Sequence, residues 1–123
     1  MRNSLPAAGE AAIPVKPIDL VHLARQTFGD PDLEREVLHL FVTQSRLYLA
    51  RLMSASSKKR WLESAHTIKG SARSIGAGAV ADAAERAEAT PYRKGSAAVA
   101  SAAARLQAEV EQANRFIEEL FAA

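Results

Sequence analysis

One stretch of the chain, residues 65 to 76, combines residue types that support phosphoryl chemistry with a helical spacing. With about 100° between successive residues of a helix, the side chains of this stretch and of the turn before it divide into two faces. One face is apolar and holds Trp61, Ala65, Ile68, Ala72 and Ile75. The other holds His66, Lys69, Gly70 and Arg73. The apolar face predicts burial, so the histidine is expected on the outside of the fold, beside two cations and a glycine.

Each of these exposed residue types suits transfer of a phosphoryl group. A neutral imidazole offers a free ring nitrogen that attacks phosphorus without a separate general base, so His66 is the candidate nucleophile. Lys69, one turn later, is placed to neutralise charge on the phosphoryl oxygens, and Arg73 is a more distant cation. Gly70 costs about 1 kcal/mol relative to alanine inside a helix. Clearance for an approaching surface explains that cost.

The run His66-Thr67-Ile68-Lys69-Gly70-Ser71, followed by Gly76-Ala77, resembles the histidine-containing phosphotransfer (HPt) domain family. The resemblance in layout extends over roughly residues 18 to 120. It implies that His66 is the phosphoacceptor through Nε2, and that Lys69 and Gly70 support the encounter with a receiver domain. It also implies response-regulator receiver domains and a sensor (hybrid) histidine kinase as partners. The Mg²⁺ and the phosphorylated aspartate then belong to the partner receiver, and this chain needs no cofactor.

Three further residues are open to two interpretations each. Arg73 stands where many relatives have a small or polar residue, and it either steers the phosphoryl group or is a solvated surface cation. Leu62, four residues before His66, either gives a receiver an apolar docking contact or packs against a neighbouring helix. Glu88 matches an acidic position common in the family, and it either faces His66 or is an ordinary surface carboxylate.

The elements that must position these residues are all helices. The sequence predicts an all-α fold, an antiparallel up-down four-helix bundle with a short N-terminal lid helix. Caps and glycines place the lid from Asp19 to about Thr27, with Leu20, Leu23, Ala24 and Phe28 as its apolar contacts, and the bundle helices at about 31–53, 58–75, 79–89 and from 97 onward. Residues 1–17 are predicted to be a flexible lead-in, and 18–123 to be the domain.

The long second helix carries two apolar sets. We predict that the first is core: Leu33, Val37, Leu40, Phe41, Leu47 and Tyr48. The second is expected to receive the lid helix or a partner: Leu38, Val42, Leu49 and Met53. In the last helix, a seam with alternating three- and four-residue spacing is also predicted to be buried: Val99, Ala103, Leu106, Val110, Ala113, Ile117 and Leu120. We expect a monomer, although the second set leaves a dimer open.

Composition excludes several classes of function. A net charge of +2 with interspersed acids and bases argues against nucleic acid as a partner. The chain has no cysteine and no long apolar run, so we expect a cytoplasmic protein without disulfides or a membrane span. His22 and His39 have no companion ligands at metal-site spacing, and no metal site is expected. Without a phosphate-binding loop or kinase motif, the chain is expected to be a stoichiometric phosphocarrier and not an enzyme.

Two alternative functions remain open. A histidine kinase dimerisation domain also presents a histidine on a helical bundle, but it normally has an acidic residue after that histidine, where this chain has Thr67. A non-catalytic helical adaptor, in which His66 is incidental, is the other. Acid-labile, base-stable label from a phosphorylated receiver distinguishes a carrier from an adaptor.

Overall fold

The computed structural model describes residues 16–122, which form five helices and no strand. The helices are α1 (Leu20–Gln26), α2 (Pro31–Met53), α3 (Lys58–Ile75), α4 (Gly78–Ala89) and α5 (Ala97–Leu120). The predicted all-α class is therefore confirmed. The predicted lead-in, residues 1–17, lies outside the described residues except for Lys16 and Pro17.

Local sequence signals set where four of these helices begin. The side chains of Asp19, Asp30, Ser57 and Ser96 each accept hydrogen bonds from backbone N–H groups in the first turn that follows. Pro31 occupies the first turn of α2, where its missing N–H would have had no partner within the helix. These caps satisfy donors that a helix N-terminus otherwise leaves unpaired.

The four longer helices contact one another in a closed ring. α2 packs on α3, α3 on α4, α4 on α5, and α5 on α2, while α1 packs against α3. The predicted apolar face of α3 is confirmed, since all of its members are buried: Trp61, Ala65, Ile68, Ala72 and Ile75. The seam of α5 is buried as predicted from Val99 to Ile117, and only Leu120 is exposed.

The predicted core stripe of α2 is wrong for three of its six members, since Phe41 is buried and Val37 and Tyr48 are partly buried against the core. The side chains that α2 buries are Leu38, Phe41, Ser45, Leu49 and Leu52, whereas Leu33, Leu40 and Leu47 are exposed. The buried seam runs through Ser45, a polar residue that the spacing of apolar residues did not mark as buried. Asn114 of α5 donates from Nδ2 to Ser45 Oγ at 3.1 Å, and this hydrogen bond makes the burial of both polar groups tolerable.

The short helix α1 is tied to the C-terminal end of α3. Gly76 ends α3 in the left-handed conformation, with φ of 80°, and its carbonyl accepts a hydrogen bond from the Asp19 N–H at 2.9 Å. Ile18 and Leu23 bury their side chains beside this junction. Phe28, predicted as an apolar contact of α1, is instead 93% exposed, because the chain turns there with φ of 54°.

None of the described helices combines the length and the apolar character needed to cross a bilayer.

We expect Gly76→Ala to lower the free energy of unfolding by about 2 kcal/mol. The new methyl group would meet the Asp19 carbonyl oxygen at 3.0 Å, in addition to the backbone strain of a positive φ. Gly95→Ala is the matched control, since Gly95 has φ of 78° but no atom within 4 Å of the added methyl group. Denaturant unfolding should show a loss of only about 1 kcal/mol for this control. Equal losses in the two variants would contradict the contact between Asp19 and Gly76.

Candidate functional site

His66 projects from the exposed face of α3, opposite the residues that this helix buries. Its side chain is 71% exposed. The neighbours Ala65 and Ile68 point into the core, so the helix backbone that carries the imidazole is fixed by packing. A rigid backbone with an accessible ring is the arrangement that a nucleophilic histidine requires.

Glu88 of α4 holds one nitrogen of that ring. His66 Nδ1 lies 3.0 Å from Glu88 Oε2. An ionised carboxylate only accepts hydrogen bonds, so this contact assigns the proton of the neutral ring to Nδ1. The lone pair then belongs to Nε2, the nitrogen available for attack.

Packing between α3 and α4 determines that Glu88 reaches His66. Trp61 of α3 donates from its indole N–H to the Ala87 carbonyl at 2.8 Å, one residue before Glu88. The buried face of α4 is built of Val80 and alanines, and small side chains let two helices approach closely. The close approach and the fixed register together bring a glutamate within hydrogen-bond distance of the ring.

Lys69 binds the other oxygen of the same carboxylate. Its Nζ forms an ion pair with Glu88 Oε1, and its side chain is only 16% exposed, compared with 21% for Glu88. Burial on its own raises the pKa of Glu88, but hydrogen bonds from Lys69 and His66, together with the positive charge of Lys69, outweigh this effect and lower it. Lys69 is therefore a mostly buried, neutralised cation, in contrast to the free surface cation that the helical pattern indicated.

A second ion pair crosses from α3 to α4 one turn further along. Arg73 donates to Glu85 Oε1 at 2.8 Å, and both side chains are largely exposed. The order of the partners is reversed between the two helices. His66, the earlier residue on α3, meets Glu88, the later residue on α4, whereas Arg73 meets the earlier Glu85. Such an exposed pair contributes at most about 1 kcal/mol to stability.

Gly70 leaves open space on the His66 side of α3. A methyl group added there would meet no atom within 4 Å, and the backbone has ordinary helical dihedrals. Neither packing nor backbone conformation in the described chain therefore demands glycine at this position. Leu62 is partly buried and packs against the core.

The remaining histidines take part in none of these contacts. The His39 ring packs edge-on against Phe121, with 5.0 Å between ring centroids, and His22 belongs to α1. Within residues 16–122, no group of three or more histidine, aspartate or glutamate side chains is arranged to hold a metal ion.

The exposed histidine, its carboxylate partner and the all-helical fold are the features expected of a histidine phosphotransfer domain. A profile of the Hpt domain family matches residues 36–116, about two thirds of the chain. The chain therefore belongs to the Hpt domain family, whose members are phosphocarriers that interact with receiver domains in two-component signalling. A search of curated proteins and a search of solved structures find no match.

The structure thus brings together His66, Lys69, Gly70 and Arg73, and adds Glu88 and Glu85 from α4. Sequence reasoning left the position of Glu88 open and did not single out Glu85. The sequence did contain one usable signal: the two glutamates of α4 lie three residues apart, and the two cations of α3 lie four residues apart. Whether these glutamates pair with the cations or face solvent depends on the register of the two helices, which the sequence does not give.

We expect acid to remove a stabilising contribution of Glu88. Because the folded state lowers the pKa of this carboxyl below its ordinary value of 4.5, the contribution is present above about pH 4.5 and is lost as the pH falls through the lower, folded value. Denaturant unfolding between neutral and acidic pH should show wild type losing more stability than Glu88→Gln. Glu85→Gln, which alters only the exposed pair with Arg73, should follow wild type. Parallel curves for wild type and Glu88→Gln would contradict the assigned ion pair.

Proposed function

We propose that this protein is a stoichiometric phosphocarrier of a phosphorelay, which accepts a phosphoryl group on His66 from one receiver domain and passes it to another. The observation that carries the proposal is the exposed imidazole whose Nδ1 is held by Glu88, since this leaves Nε2 as an accessible nucleophile. Membership of the Hpt family supports the same role.

The transfer needs little from this chain beyond placement and charge. The Nε2 lone pair attacks phosphorus in line with the aspartyl oxygen, the P–O bond to the receiver breaks, and the aspartate leaves as a carboxylate. The Nδ1 proton stays in its hydrogen bond to Glu88. The receiver supplies the Mg²⁺ and the aspartate, so this chain works without a cofactor of its own. Lys69 offsets the negative charge of Glu88 and of the incoming phosphoryl oxygens.

The docking surface proposed for the receiver is the exposed face of α3 around His66. Gly70 gives the approaching surface clearance, and the exposed Arg73 adds a positive charge two turns from the ring. Leu62 contributes at most the edge of an apolar contact, because it is partly buried. The ring of helices is proposed to be an antiparallel up-down four-helix bundle with α1 as its lid, and the protein to act as a cytoplasmic monomer between a sensor kinase and response regulators.

We expect His66→Gln to keep the fold and to abolish phosphoryl acceptance, because the side chain lies outside the core and is the proposed nucleophile. The measurement is transfer of acid-labile, base-stable label from a phosphorylated receiver, with a melting curve alongside. His22→Gln and His39→Gln are the controls and should keep the label. Undiminished labelling of the His66 variant would refute the assignment.

We expect Gly70→Gln to hold or raise thermal stability while weakening receiver binding and phosphotransfer together. Glutamine is a better helix former than glycine by up to about 1 kcal/mol, and the open space at Gly70 accepts the longer side chain. Gly78→Gln is the matched control, since Gly78 also has open space around it but lies at the start of α4. If the Gly70 variant transfers as fast as the Gly78 variant, clearance is not the reason for the glycine.

A further inference from the structure

We infer that Glu88 keeps the Nδ1 proton on the imidazole ring of His66 after phosphorylation, so that the chain releases its phosphoryl group rapidly and does not store it. This role presupposes the phosphoacceptor function proposed above. It assigns to Glu88 a positioning and proton-holding function, and it makes the chain a fast intermediate of the relay.

The chemical basis is that a carboxylate accepts hydrogen bonds and does not donate them. Once Nε2 is bonded to phosphorus, a neutral ring would carry its remaining lone pair on Nδ1. That lone pair would face Glu88 Oε2, which lies 3.0 Å from Nδ1, and the two would repel each other. A ring that keeps its Nδ1 proton preserves the hydrogen bond and gains the attraction of an adjacent negative charge. Glu88 therefore favours the protonated, phosphorylated ring.

The Glu88 carboxylate cannot easily rotate to move Oε2 away from the His66 ring. Its second oxygen, Oε1, is held by Lys69 in an ion pair whose two side chains are mostly buried. Turning Oε2 away from the ring would disturb that pair. A glutamine in the same place behaves differently, because its amide group can turn over and donate a hydrogen bond to an unprotonated Nδ1.

Protonation of the ring determines how readily the phosphorus–nitrogen bond breaks. When the next aspartate attacks, the electron pair of the P–N bond returns to Nε2 while a P–O bond forms. From a ring that still carries its Nδ1 proton, the leaving group is neutral imidazole, and no other proton has to be supplied. From an unprotonated ring the leaving group is an imidazolate anion, which is much less stable.

Lys69 shares the Glu88 carboxylate with the ring, so it weakens the attraction between Glu88 and a protonated ring without displacing the contact. The other charged side chains of α3 and α4 near the ring are paired with each other: Arg73 with Glu85 and, one turn before His66, Glu63 with Lys59. On the other side, α2 places Arg51 in a cleft with Glu63, and the uncharged Gln44 in a cleft with Ser71 and Ser74. Among the described groups, Glu88 is the one that contacts Nδ1.

The test uses the full chain phosphorylated with phosphoramidate, which transfers its phosphoryl group to histidine with release of ammonia and needs no receiver. Nitrogen-15 and phosphorus-31 NMR then follow the phosphorylated ring as the pH is raised. We expect wild type to keep the Nδ1 proton to a higher pH than Glu88→Gln, because only the carboxylate favours the protonated ring. Near pH 8, wild type should lose its phosphoryl group several-fold faster than this variant. Glu85→Gln, which makes the same change of charge on the same helix without touching the ring, should match wild type.

Equal NMR midpoints in wild type and Glu88→Gln would overturn the inference. Glu88→Asp gives an independent check if the glutamine variant does not fold, because it keeps the charge but withdraws the carboxylate by one methylene group. Its midpoint should fall below that of wild type, and an unchanged midpoint would again count against the inference. A chain labelled on His66 that fails to exchange with any receiver would refute the relay function while leaving the effect of Glu88 measurable. Absence of label on His66 would overturn both.

Discussion

The Glu88 carboxylate joins two groups of different character, the exposed imidazole of His66 and the mostly buried ammonium group of Lys69. Each contact fixes the other, because one oxygen is committed to the lysine and the remaining oxygen is thereby aimed at Nδ1. The carboxylate reaches both only because α4 lies close against α3 along a face of small residues. The Trp61 hydrogen bond to the Ala87 carbonyl fixes the register of that contact next to Glu88. A shift of α4 by one residue would rotate Glu88 by about 100° and remove it from the ring.

The sequence predicted α3 well because its two faces are chemically distinct. Large apolar residues and alanine alternate at helical spacing on one face, and the polar face contains the histidine, so a single period separates core from site. The caps were equally readable, since Asp19, Asp30, Ser57 and Ser96 act locally on the turns that follow them. Features that depend on a few residues close together in the chain could therefore be predicted from the sequence.

The prediction for α2 failed for half of its stripe because this helix has large apolar residues on more than one side. Periodicity then allows several stripes, and local spacing does not single out the one that contains Ser45. The actual seam includes Ser45 because Asn114, from a helix 69 residues away in the chain, supplies its hydrogen-bond partner. The position of Glu88 depends in the same way on partners distant in sequence. In both cases a polar side chain is placed by a tertiary contact, and neither partner is visible from local spacing.

Because α3 has two distinct faces, most of the residues proposed to act in phosphotransfer are different from those that stabilise the fold. His66 is mostly exposed and Gly70 has no side chain, so neither contributes much packing to the free energy of unfolding, whereas the opposite face of α3 consists of core residues. Arg73 and Glu85 form a solvent-exposed pair, which salt screens. The pair between Lys69 and Glu88 is the exception, because its shielding from solvent strengthens the attraction between the charges while the same carboxylate sets the tautomer of His66. At this one contact, the packing of α4 on α3 and the reactivity of the imidazole depend on the same atoms.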